Sequence, residues 1–248
     1  MSEFAVWNPN WWKEEKAMSL ARRATRPTKV GTAQPGDTFL IVTEGTVTEP
    51  VYFELLRVDL QLPAIRVKVV PGDASDPRHV IRSANYEARD QVRRAKKGHL
   101  GIDEPSKFDH VWAVIDTDVA VRNGFWNDVQ QLADALKVTL AHSTPCFEFW
   151  LLLHFGFTTR SDLPDGSAAK TAVKTALSGT YGTSEKVTRT AIASFIADWP
   201  LAVVHSERVR KHHTTAATPH PGNPSTEVDR LVRAMNDSAP AHLRKLKS

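Results

Sequence analysis

The apolar positions change period along this chain, and each change marks an element. "TFLIVT" (38–43) is an unbroken apolar run of strand length, which predicts a strand buried on both faces. "EPVYFELLRVDL" (49–60) switches to helical spacing, with Pro50 suited to a first turn. "AIRVKVV" (64–70) alternates as a strand, "PGDASDP" (71–77) is a loop, and 77 to about 98 is a long polar helix. "HVWAVID" (110–116) predicts a third strand, about 124–137 a helix, and "VTLAHS" (138–143) a fourth strand. "TPCFEFWLLLHF" (144–155) then opens a helix with Pro145 near its start. Strands alternating with helices predict an open, mainly parallel α/β sheet joined by right-handed crossovers.

Strand signals fade after residue 157. "SAAKTAVKTALSG" (167–179), "SEKVTRTAIASFIADW" (184–199), "LAVVHSERVRKHH" (201–213) and "STEVDRLVRAMND" (225–237) all carry helical spacing, and "TTAATPHPGNP" (214–224) is the longest loop between them. Three regions follow: a lead-in over 1–36, an α/β domain over 37–157 and a helical region over 158–248. The lead-in holds Trp7, Trp11 and Trp12, an aromatic density that predicts docking onto the body or a partner.

Composition narrows the class without choosing a function. The 248 residues are 41% hydrophobic and 24% charged, the balance of a soluble globular protein. No apolar stretch has the length of a membrane span, and the first residues lack the pattern of a secretion signal, so a cytoplasmic location is expected. A single cysteine, Cys146, rules out an internal disulfide framework and any Cys-rich zinc site. The net charge of +4 is small, but basic residues gather at 21–29, 93–99, 205–213 and 242–247. Such clusters suit a phosphate-bearing partner and equally suit solvated helix faces.

Candidate chemistry lies in the acidic residues at strand ends. Ligands of an open parallel sheet sit beyond the carboxyl ends of its strands. Glu44 follows the first strand, and Asp116 and Asp118 of "DTD" end the third, so all three are expected on one edge. In extended backbone, residues two apart point the same way, which lets Asp116 and Asp118 share one cation. Hard divalent ions such as Mg2+ or Mn2+ take several carboxylate oxygens, whereas clustered carboxylates without a cation repel one another. Gly45 lets the backbone turn tightly without crowding a phosphate. With Thr144 as N-cap, Glu148 falls in a first turn that also follows a strand, where it is either a dipole-favoured helix residue or a further oxygen ligand. Glu49 has the same two readings. His154, six residues after Glu148, lies on another helix face, and Phe147, Trp150, Leu151 and Leu153 read as core. Cys146 reads as a small buried hydrophobe, and the adjacent His212 and His213 diverge too much to share a metal.

The longer strings carry a resemblance. A strand ending in "EG" followed by a strand ending in "DxD" resembles the Toprim fold of topoisomerases, primases and related nucleases. "FLIVTEGTVTEPVYFELL" (39–56), "VWAVIDTD" (111–118), "STPCFEFWLLLHF" (143–155) and "GNPSTEVDRLV" (222–232) together resemble the RloB family of bacterial phage-defence proteins. That resemblance implies a Toprim-like α/β fold and a metal-dependent nuclease acting in abortive infection. It also implies a cognate ATPase as partner and nucleic acid, tRNA among them, as target. By the same resemblance Glu44 has acid/base or metal duty, and Asp116 and Asp118 form the metal-binding pair. Relatives carry a lysine two residues after a tyrosine in the C-terminal half. Here Tyr181 is followed by "GTSEK", so Lys186 either replaces that lysine from a shifted position or the function is absent. Basic residues of 186–211, namely Arg189, Arg208, Arg210 and Lys211, are expected to neutralise a substrate backbone. The alternatives are a DNA nickase and a non-catalytic module that binds an ATPase or nucleic acid. A topoisomerase or primase fits poorly, for want of a strand-passage tyrosine and of zinc ligands.

Overall fold

The computed structural model describes residues 37–63, 67–71, 76–101, 104–159, 162–179, 181–182 and 184–246. The expected lead-in and its tryptophans lie outside these residues. Five strands form one sheet in the order β2-β1-β3-β4-β5: β1 Phe39–Thr43, β2 Val67–Pro71, β3 His110–Asp116, β4 Thr139–Thr144 and β5 Ser225–Thr226. The first four pair in parallel and β5 runs antiparallel to β4.

The period-2 geometry of a strand explains why β1 carries no polar face. Phe39 and Ile41 point into one apolar cluster, Leu40 and Val42 into the other. Along β3, Trp112 and Val114 join the first cluster while Ala113 and Ile115 join the second. Helices cover both faces. The second cluster is closed by α2 (Pro77–Lys96), α3 (Asp118–Arg122) and α4 (Trp126–Leu136). The first is closed by α1 (Thr48–Asp59), α5 (Glu148–Leu152), α6 (Gly166–Ala176), α7 (Glu185–Ala193), α8 (Trp199–Thr215) and α9 (Val228–Ser238). The C-terminal helices thus supply much of one layer of the sheet's own packing: Trp199, Val203, Leu231 and Met235 are fully buried against it. Among the described residues no single helix is long and apolar enough to cross a membrane.

Local departures from the predicted elements are instructive. The helix expected over 144–155 is a five-residue helix, Glu148–Leu152, because Thr144 belongs to β4 and its hydroxyl meets Thr117 Oγ1 at 2.5 Å instead of capping. The helix expected from Ser225 begins at Val228, since Ser225 and Thr226 extend the sheet beside β4. β3 ends at Asp116: Thr117 has left extended geometry (φ −109°, ψ −10°) and Asp118 starts α3. The two-residue alternation expected to align Asp116 with Asp118 therefore stops between them.

Candidate active site

The strand order reverses between β1 and β3, where crossovers leave to opposite sides and open a crevice at the carboxyl edge. Glu44 emerges there. Its N–H donates to Val114 O at 2.9 Å, carrying the β1–β3 ladder one residue past the strand. The Asp116 N–H donates to Glu44 Oε2 at 3.1 Å, and the Phe147 N–H donates to Asp116 Oδ1 at 2.9 Å. Glu49, in the first turn of α1, reaches back so that its Oε1 accepts from Gly45 N–H at 3.1 Å. A Cβ at position 45 would collide with that carboxylate, so a larger residue there would push Glu49 off the Gly45 N–H. Glu148 Oε1 accepts from the Tyr181 hydroxyl at 2.9 Å, and the Tyr181 oxygen stands 2.9 Å from Thr48 Oγ1. A hydroxyl has one proton, so with Tyr181 donating to Glu148 the Thr48 hydroxyl donates to Tyr181.

Four carboxyl groups thus gather within electrostatic reach across β1, β3, α1 and α5. Burial pushes Glu44 up to about 7, opposed by the Asp116 N–H and reinforced by Glu49 and Asp118. Burial likewise pushes Glu49 up to about 7, with Glu148 adding to the rise. Asp116 is raised well above its ordinary value by burial and then by the charges of Glu49, Glu44 and Glu148. The cation that answers them is Lys170 on α6, whose own pKa is raised chiefly by Glu148, then by Asp116 and Glu49 as lesser contributors.

This stress has a sign that can be measured. A carboxyl with an ordinary pKa near 4.5 and a folded value near 7 leaves stability intact below pH 4.5 and lowers it as pH rises through 7. Without divalent ions, Glu49 is expected to lower stability by roughly 3 kcal/mol between pH 4.5 and 8. Urea midpoints across that range check it: Glu49→Gln should flatten the decline, and an unchanged slope would refute the assignment.

The other expected residues fall as follows. Asp118 starts α3, where its Oδ1 accepts from Val119 N–H at 2.7 Å, and its charge reaches Glu44. Lys186 is exposed in the first turn of α7, its carbonyl accepting from Thr190 Oγ1 at 3.0 Å. Arg189 pairs with Glu185 at 3.8 Å. Arg208 lies over the Phe157 ring at 4.2 Å, and Lys211 is exposed. Arg210 is held inside the fold by Asp229 at 2.5 and 2.7 Å and by Thr226 O at 2.8 Å. His154 donates from Nδ1 to Trp150 O and accepts from the Tyr52 hydroxyl, both at 3.2 Å, and burial holds its pKa down near 4. Burial drives the Cys146 thiol far above its ordinary value, so it carries no nucleophilic thiolate. Lys170 completes the cluster without any local sequence signal, Tyr181 is the tyrosine singled out by the family resemblance, and Glu49, four residues after Gly45, carries the helical spacing that folds it back.

The sheet, with carboxyl groups gathered at its switch point, defines a doubly wound α/β protein with an acidic edge site. The chain belongs to the RloB-like protein family, whose model matches residues 39–235. No curated protein and no solved structure matches it.

Proposed function

We propose that this chain is a Toprim-like, metal-dependent nuclease that hydrolyses phosphodiester bonds of nucleic acid, as the effector of an anti-phage abortive-infection system. The observation that carries the reading is the convergence of Glu44, Glu49, Asp116 and Glu148 at the switch point, where burial and mutual repulsion raise Glu44, Glu49 and Asp116. An oxygen-rich set that is costly to ionise alone is the donor chemistry of a hard divalent cation. Glu44, Asp116 and Asp118 would hold Mg2+ or Mn2+. When bound, that ion would polarise a phosphate and offset developing charge on its oxygens.

The chain's own groups do the rest. Glu44 would also orient an attacking water and take up its proton through the carboxylate oxygen that the ion leaves free. Tyr181 and Thr48 hold Glu148 in one orientation. Lys170, exposed on α6, brings positive charge to the same edge and meets the substrate phosphate, a role for which the sequence offered Lys186. Lys186, Arg189, Arg208 and Lys211 flank the substrate backbone from α7 and α8. A cognate ATPase that restrains or releases the activity is the proposed partner.

One feature of the site favours a second reading. Glu44 and Asp116 each accept a backbone N–H, and Glu49 does the same. Protonated, these groups would serve as an internal hydrogen-bond hub in a non-catalytic module that binds an ATPase or nucleic acid. End-mapping of total RNA and plasmid DNA after induction separates the readings. Discrete RNA ends made by the wild type and absent with Glu44→Gln support the nuclease and name its substrate. Nicked plasmid with intact RNA assigns DNA instead. Identical nucleic acid in wild type and variant favours the hub.

A further inference from the structure

A second constellation lies outside the acidic cluster and shares no residue with it. His142 on β4, His220 in the loop after α8 and Glu227 between β5 and α9 present ligand atoms that all lie within 4.8 Å of one another. His142 Nδ1 stands 3.9 Å from Glu227 Oε2, and His220 Nε2 stands 3.9 Å from Glu227 Oε1. The two imidazole rings meet edge to face at 5.8 Å.

The second observation is a buried nitrogen with nothing to bind. His142 is 3% exposed, and its Nδ1 has no hydrogen-bond partner among the described residues. A buried polar atom left this way is costly, so it calls for a partner. Glu227 is too distant at 3.9 Å to be that partner directly. Two of the three groups are already fixed to each other, because the Glu227 N–H donates to His142 O at 2.8 Å. The Trp126 ring packs on His142 at 4.9 Å and limits its rotation. His220 is the movable arm, its side chain 60% exposed on a loop.

We propose that His142, His220 and Glu227 form a binding site for a borderline divalent transition-metal ion of the Zn2+ class. Two imidazoles and one carboxylate are the ligands such ions select, whereas Mg2+ prefers oxygen alone. Tetrahedral ligands about 2.0–2.1 Å from a metal sit roughly 3.3 Å apart, so binding draws the His220 loop inward. Arg230, now 2.8 Å from Glu227 Oε2, then gives up one of that carboxylate's oxygens. Three protein ligands leave a fourth position for water. The ion fastens the loop over 216–224 to β4, the strand that runs on to Ser143 beside Asp116.

Titration of the purified full chain with Co2+, followed by visible absorption and then Zn2+ displacement, tests this. The expected result is one equivalent of four-coordinate Co2+ that Zn2+ expels, with Mg2+ unable to do so. His220→Ala, which changes an exposed side chain, should weaken uptake by at least ~100-fold, and Glu227→Gln should do the same. His212→Ala, which removes an exposed histidine outside this cluster, should bind Co2+ as the wild type does. Zn2+ should also raise the melting temperature of the wild type but not of His220→Ala. Absence of the absorption band in the wild type, or full uptake by a folded His220→Ala, would overturn the site.

Discussion

Asp116→Asn is expected to suppress the proposed metal-dependent cleavage and, at the same time, to make the metal-free protein more stable. The two effects share one cause. Asp116 is forced toward its protonated form by burial and by Glu49, Glu44 and Glu148. Asparagine has nearly the same shape, retains an Oδ1 to accept the Phe147 N–H, and carries no charge to desolvate. The fold therefore loses a stress and keeps a hydrogen bond. Activity moves the other way, because a neutral amide is a poor ligand for a hard cation. Losing one such ligand is expected to lower the rate of cleavage by at least about 10²-fold. Thermal melting with EDTA and single-turnover cleavage with Mg2+, run on the same preparation, check the pair. A variant that is less stable yet fully active would contradict both halves.

The second large effect falls on Arg210, whose sequence context suggests a substrate contact. Its guanidinium grips the Asp229 carboxylate with two hydrogen bonds and also donates to Thr226 O, tying α8 to α9 and β5. Asp229 is 1% exposed. Arg210→Ala leaves that carboxylate buried without its partner, which is expected to cost about 3–5 kcal/mol. Arg210→Lys should recover only part of the loss, since an ammonium cannot reproduce the two-pronged geometry. Replacing both partners at once, as Arg210→Met with Asp229→Leu, should restore most of the stability, because no orphaned charge remains. Chemical denaturation of the three variants measures this. Near wild-type stability for Arg210→Ala would mean that the pair holds nothing, and would return Arg210 to the substrate surface.

These two residues show what could and could not be seen along the chain. The buried strands were legible because a two-faced core demands consecutive apolar residues, as in Phe39–Thr43. Glu44 and Asp116 were legible as site residues because a parallel sheet presents strand ends to one edge, and both follow apolar runs directly. The same reasoning did not reach Asp118 with full accuracy: a residue-by-residue alternation holds only while the backbone stays extended, and Thr117 turns it into α3.

Sequence by itself determined the alternation of strands and helices, the parallel sheet, the acidic edge and the family resemblance that the match over 39–235 bears out. Those features rest on local periodicity and on residues adjacent to strand ends. The tertiary structure alone decided that Lys170 answers the acids, that Tyr181 holds Glu148 across 33 positions, and that Arg210 belongs to Asp229. It alone brought His142 beside Glu227 and His220, through a two-residue antiparallel strand with no periodic signal. The physical reason is common to all of them. A side chain's partner across a long loop depends on which way the intervening helices pack, and that direction is set by burial of whole faces, not by any one residue's neighbours in the chain.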